Sequence, residues 1–322
     1  MTDADGYDPR RDMSPDELIE WSVHTRTVAA LWQSDGSLYH YTDSGGLKGI
    51  LDSGELWGTH VAYLNDSLEF SYGVDSICQM IAEYAEWVKK PEAKRGEQAE
   101  FLSTVIVAVR DRVLRAREVL EDKFGPFVTC FSMYGDDLSQ WRGYANGGYA
   151  ICFDGEAVKD QVEQTQGASD DIALPASPPK PELHQVEYVP KKQSERLTEM
   201  VDEHITELVE AASTDPINKV PLAQERLIEK MIPLAAAMKH FAFVGEAEQR
   251  LIAHTSETFY TPSPIGLIPR VRFRFDPSAV KKVIVGPSSL GETKKLSLER
   301  YLRHKYPHVE VVQSKVPYRE VV

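Results

Sequence analysis

Cysteine is scarce in this chain of 322 residues: Cys78, Cys130 and Cys152 are the three it has. They form no C-x-x-C pair and no even set, so reduced thiols used in packing are expected, not a disulfide framework. Long apolar runs are missing too. None approaches the roughly 18 residues that cross a bilayer, and the opening "MTDADGYDPRRDMSPDEL" has no apolar secretion segment. A cytoplasmic protein without a membrane partner is the expectation. Positive charge is in deficit, with a formal net charge of −14, which argues against holding nucleic acid by bulk phosphate neutralisation over a basic face. The basic residues that exist crowd toward the C-terminal part: Arg270, Arg272, Arg274, Lys281 and Lys282, then Lys294, Lys295, Arg300, Arg303 and Lys305. A solvated charged face is the plainer reading of them, an anionic ligand the other. No Gly-x-Ser-x-Gly elbow, Walker-type loop or Gly-x-Gly-x-x-Gly turn occurs, so the usual hydrolase, NTPase and dehydrogenase readings lose their support. His304 and His308 are four apart, but Pro307 interrupts the helix that would align them, and no metal is expected.

What is present is enough apolar material, 42%, to fill a substantial core. Residues 1–37 read as an N-terminal extension with an amphipathic helix started by Ser14-Pro15-Asp16. From Leu38 to residue 322 one domain is expected. It begins "LYHYTDSGGLKGIL", a strand followed by a helix capped at Asp43 or Ser44, with Leu47, Ile50 and Leu51 at helical spacing. A short extended piece ending at an Asn65-Asp66 turn follows. Helices are predicted over about 68–123 and 193–240, the first a surface layer with Ile77, Ile81, Tyr84 and Val88 on its inner side. Strands are predicted at Phe127–Phe131, Tyr149–Phe153, "HQVEYVP", "AEQRLIAH", "VRFRFDP", "VKKVIVGP" and "VEVVQSK", with a loop over 166–182 and a last helix at Lys294–Lys305. Strands drawn from distant parts of the chain, with helices inserted between them, make an α+β pattern.

Three segments combine polar groups with an apolar frame. The first holds His40, Tyr41 and Thr42 just before a strand-to-helix turn, where helix N–H groups can meet an anion. The second joins Phe131-Ser132 to Gln140, Trp141, Arg142 and Tyr144 beside Gly143, Gly147 and Gly148; aromatic rings next to such a turn suit a flat heterocycle, and core packing explains them equally well. The third is "FVGEAEQRLI". Read as extended backbone, it puts Glu246, Glu248 and Arg250 on one face. Taken alone, that face is better read as solvated than as a polar site.

Together "LYHYTDSGGLKGILDSGELWGTHVAYLNDSLEF", "CFSMYGDDLSQWRGYANGGYAICFD", "FVGEAEQRLI" and "SKVPYR" resemble the bacterial domain-of-unknown-function family 2971 over most of residues 38–319, a family name that carries no activity. The first segment is also similar, more remotely, to the opening of ADP-ribosyltransferase folds. That second resemblance implies a split mixed and antiparallel β core with large helical insertions, and NAD as substrate. It would make His40 the histidine that bonds the nicotinamide-side ribose, supported by Tyr41 and Thr42. Phe131-Ser132 would lie on the central strand, and Tyr144, with Tyr63 or Tyr134 as alternatives, would stack on nicotinamide beside Gln140 and Trp141. Glu248 would be the acid of the third motif, with Glu246 two positions earlier and Arg250 lining the same site; a full Ser-Thr-Ser motif is absent. The implied activity is transfer of ADP-ribose to an unknown protein, nucleic-acid or small-molecule acceptor, or hydrolysis of NAD, in the setting of a bacterial toxin or phage-defence effector. The competing expectation is a non-catalytic module that binds a nucleotide or a protein partner on the same fold.

Overall fold

A computed structural model describes residues 13–14, 17–18, 21–22, 25, 36–64, 69–122, 125–165, 180–254 and 258–317. Most of the N-terminal extension, the Asn65-Asp66 turn and the expected loop as far as residue 179 lie outside these residues. Glu182, placed in that loop by sequence, opens a strand instead.

Leucine, tyrosine and threonine, which favour extended backbone, form the first strand, β1 (Ser37–Thr42), buried on both faces. The chain then turns into α1 (Ser44–Ser53), whose N-cap is Asp43: its carboxylate accepts from the Gly46 N–H at 2.7 Å. Gly46 lies close under Thr42: an added Cβ would fall 2.0 Å from the Thr42 hydroxyl and would force that side chain to turn. There follow β2 (Glu55–His60), α2 (Glu69–Trp87), α3 (Ala99–Asp122) and β3 (Phe127–Ser132). Next come α4 (Leu138–Gln140), which continues as a π-helical turn Trp141–Ala145, then β4 (Tyr149–Asp154), α5 (Gly155–Gln161), β5 (Glu163–Thr165) and β6 (Glu182–Gln185). The rest is α6 (Pro190–Thr214), α7 (Lys219–Ala236), β7 (Glu248–Ala253), β8 (Phe259–Ser263), β9 (Gly266–Arg274), β10 (Val280–Val285), α8 (Gly291–Lys305) and β11 (Glu310–Gln313).

The strands form one mixed sheet in the order β11-β10-β4-β1-β3-β2-β9-β5. All pairs are antiparallel except β10 with β11. The expected α+β class is therefore present as a mixed sheet with helices around it. β3 is the pivot of the sheet. One of its edges pairs with β7 along its whole length, from Phe127↔Ala253 to Ser132↔Glu248. Its other edge is shared: β2 meets it at Phe127 and Val128, and β1 meets it at Ser132. Between these contacts β1 and β2 diverge, and the sheet opens.

Alternation sends Leu38, Phe131, Ile151, Phe153, Leu251 and Phe273 to one face, where they pack with α1, α5 and α8. On the other face Val128 and Ile252 join a second core built by α2, α3, α6 and α7. The two helical stretches, far apart in sequence, thus meet as a four-helix layer. Ile77, Ile81, Tyr84 and Val88, read from sequence as the inner side of a surface layer, sit in the middle of that core. α2 and α7 approach so closely that a Cβ on Gly73 would lie 2.1 Å from the Ala235 carbonyl oxygen. The "HQVEYVP" strand is shorter than expected: beyond Gln185 it makes one parallel bridge, Glu187 to Met238.

Candidate active site

Where β1 and β2 diverge, a cleft of about 970 Å³ opens, floored by residues 128–132 of β3. The unpaired edge of β3 leaves the Cys130 carbonyl without a strand partner, and the His40 ring fills the gap. His40 Nδ1 donates to that oxygen at 3.0 Å, and Phe131 meets the ring edge-on at 5.9 Å. Burial lowers the His40 pKa, partly offset by the Cys130 bond. A neutral imidazole protonated at Nδ1 has Nε2 as its acceptor. His40 is both bonded to a core carbonyl and part of the cleft wall.

The floor of the cleft is an ionic cluster. Arg250 grips Glu248 through two bonds of 2.9 Å, from Nε to Oε1 and from Nη2 to Oε2. Its Nη2 also reaches Glu69 at 2.6 Å, and its Nη1 donates to the Ala236 carbonyl at 2.8 Å. Lys239 contacts Glu69 at 2.5 Å, Glu246 at 2.5 Å and Glu248 at 3.3 Å. Both cations are only 2% exposed. Glu69 opens α2 and Ala236 closes α7, so the cluster lies at the seam between the helical layer and the sheet.

The sequence reading of "FVGEAEQRLI" is corrected in two ways. Phe241–Glu246 is a 3₁₀ helix, and Ala247 takes a left-handed φ of 44°. Glu246 therefore does not continue the strand of Glu248 and Arg250; the turn at Ala247 carries it to the cluster, where Lys239 holds it. The face is also buried, because the cations that partner these carboxylates come from Lys239 as well as Arg250.

The two glutamates differ in state. Burial opposes the charge on Glu248, but Arg250 and Lys239 overcome it and hold the carboxyl at about 2. Glu246 is pushed up by its burial, which Lys239 and the Tyr144 bond offset only in part while the Glu248 charge adds to the rise. The Glu246 side chain is 18% exposed against 7% for Glu248. Three carboxylates face two cations, so the ionised cluster carries one surplus negative charge.

Around it, Tyr144 on the π-helical turn is 43% exposed and its hydroxyl bonds the Glu246 carboxylate at 3.0 Å. Such π-turns occur often at functional sites. Ser132 donates to the Glu246 carbonyl at 2.8 Å and fixes the same turn. Tyr41 donates to the Tyr134 carbonyl at 2.8 Å, shaping the loop that leads to α4. His40, Tyr41, Thr42, Tyr63, Ser132, Gln140, Tyr144, Glu246, Glu248 and Arg250 all line the cleft. Trp141 does not: it is 1% exposed, packs edge-on against Tyr41, and its indole N–H donates to Asp136 at 2.7 Å. The sequence set Trp141 beside Tyr144 as cofactor-binding, but on the π-helical turn the two, three positions apart, do not share a face: Trp141 is turned into the core and Tyr144 to the cleft. Arg250 lines the floor while its guanidinium is engaged by protein groups.

Sequence reasoning missed Glu69, Lys239 and Thr59, which also line the cleft, as does Arg270, which the sequence placed in a basic cluster read first as a solvated face. Lys239 carried a signal, a lone charge ending the apolar run "PLAAAM", where an unpaired buried cation would be costly. Among the described residues no group of three or more His, Cys, Asp or Glu side chains is arranged to hold a metal ion, and no helix is long and apolar enough to cross a membrane.

One stretch of the chain answers to a known family. Residues 140–251 match the family model described as a protein of unknown function, DUF2971. That bears out the resemblance to this family on the segment running from Gln140 through Tyr144 and Lys239 to Glu248 and Arg250. The DUF2971 match does not extend to β1, where His40 lies. No curated protein and no solved structure matches the chain.

Proposed function

We propose that the cleft binds NAD and that the protein is an ADP-ribosyltransferase-like enzyme, transferring ADP-ribose to an acceptor or to water. The observation that carries this reading is the surplus negative charge of the Glu69, Lys239, Glu246, Glu248 and Arg250 cluster, set under an exposed tyrosine and across from a neutral histidine at a split in the sheet. The scissile C1′–N bond breaks with its electron pair leaving on nicotinamide, and positive charge develops on the ribose. A fixed negative surplus stabilises that charge without reorganising at the moment of reaction. Tyr144 offers its ring to nicotinamide, and the acceptor Nε2 of His40 takes a ribose hydroxyl. The acceptor's oxygen or nitrogen then bonds to C1′, and its proton passes to a carboxylate. Glu246 suits that task better than Glu248: it is the more exposed of the two, and burial raises its pKa where that of Glu248 is lowered. Glu248, engaged on both oxygens, sets the charge and holds Arg250 and Lys239.

Nicotinamide release from NAD by the purified protein tests the reading. Wild type is expected to release it. Glu246→Gln is expected to lose about 10²- to 10³-fold in rate while keeping the wild-type melting temperature within a few degrees. NAD that raises the melting temperature without nicotinamide release would turn the reading to a non-catalytic binding module, an alternative that the full pairing of Glu248 favours. No release and no stabilisation by NAD would end it.

A further inference from the structure

Arg270 stands on the wall opposite β1 and takes no part in the chemistry above. It is paired across the sheet with Thr59 of β2 on one side and with Phe259 of β8 on the other. Alternation turns Val271 and Phe273 into the core and sets Arg270, Arg272 and Arg274 on the other face. Glu55 lies 3.5 Å from Arg272 and 3.9 Å from Arg274. Arg272 also covers the Phe259 ring at 3.8 Å. Arg270 differs from both. Its Nε donates to the Thr261 hydroxyl at 2.8 Å and its Nη1 to the Thr59 hydroxyl at 2.5 Å, and among the described residues no carboxylate pairs with it.

Hydroxyls aim a guanidinium without neutralising it. Of its five N–H donors, two are taken by the threonines and three remain. Burial lowers the Arg270 pKa, which registers the penalty of a charge that lacks a counter-ion, though a guanidinium stays protonated. A planar, oriented, uncompensated cation on the wall of a cleft of about 970 Å³, in a chain of net charge −14, is suited to bidentate contact with phosphate oxygens. The cleft is thus bipolar. Its floor has one negative charge in surplus and this wall one positive charge, matching a ligand with a cationic ring at one end and phosphates at the other.

We propose that Arg270, aimed by Thr59 and Thr261, is the phosphate-binding residue of the cleft and takes the diphosphate of a nucleotide ligand. The anion site stands on the geometry of Arg270 alone; that its nucleotide is NAD rests on the reading given under Proposed function.

Calorimetric titration of the full chain with NAD, ADP, inorganic pyrophosphate and the phosphate-free nicotinamide riboside tests it. Arg270→Gln is expected to weaken NAD and ADP by about ten- to a hundredfold and to leave nicotinamide riboside unchanged. Thr261→Val, which keeps the charge and releases its aim, is expected to weaken ADP by about threefold. It carries the comparison if Arg270→Gln does not fold. Equal ADP and NAD affinities in wild type and folded variants would overturn the site, as would a wild type that binds no phosphate compound. ADP no tighter than pyrophosphate would overturn the nucleotide assignment. Arg270-dependent binding of ADP, with no binding of NAD or nicotinamide riboside, would keep the phosphate site and remove NAD.

Discussion

The floor and the outer wall of the cleft treat charge in opposite ways. On the floor, Lys239 and Arg250 are almost sealed from solvent and each contacts at least two carboxylates. On the wall, Arg270 is half-buried and oriented by two threonine hydroxyls, with its guanidinium 6.0 Å from the centre of the Trp57 ring. Charges that a protein satisfies internally belong to its architecture, because breaking such a pair strands a buried ion. A charge left aimed but uncompensated is one that a ligand can complete. The contrast separates even residues two apart: Glu248 is held by two buried cations, and Glu246, raised in pKa and touched by Tyr144, is the more exposed to the cleft.

The sharpest way to break this contrast is Arg250→Met. It strands Glu248 and Glu69 beside Lys239 and removes the donor to Ala236, and the expected loss is about 3–5 kcal/mol in denaturant unfolding. A loss below 1 kcal/mol would mean that the floor is no more structural than the wall. Next comes acid. The folded pKa of Glu248, about 2, lies below its ordinary value of 4.5, so its contribution is whole above pH 4.5 and disappears as pH falls toward 2. That shift corresponds to about 3 kcal/mol. Unfolding free energy measured across this window should fall in wild type, and the fall should be shallower by that amount in Glu248→Gln. The smallest effect is expected from Tyr144→Phe, which keeps the ring but deletes the hydroxyl bonded to Glu246. About tenfold in nicotinamide release, with unchanged denaturant stability, would place Tyr144 on the ligand side of the contrast.

Local chemistry made part of this legible in the sequence. Asp43 or Ser44 announced the cap of α1, and the leucine, tyrosines and threonine of "LYHYT" announced β1. Glu246, Glu248 and Arg250 were singled out because three charges in an apolar frame need an explanation. Their burial was not legible, since it depends on Lys239 and Glu69, which the tertiary fold brings to the strand from other parts of the chain. The left-handed turn at Ala247 was hidden for another reason: alanine is not a residue type that signals positive φ. Trp141 misled because proximity in sequence to Tyr144 was read as proximity to the ligand. The β8–β9 hairpin at "TPSPIG" was passed over, and with it the threonine that aims Arg270.

The seam position of Arg250 has a consequence for how the molecule unfolds. Its guanidinium ties the start of α2, the end of α7 and the start of β7 through Glu69, Ala236 and Glu248. Peeling the helical layer from the sheet would strand the Glu69 and Glu248 carboxylates and leave the Ala236 carbonyl without its donor, so the two hydrophobic cores are expected to open as one cooperative unit. Amide exchange in α2 and α7 should then slow together with that in β3 and β7, and a ligand held in the cleft should protect helices it never touches.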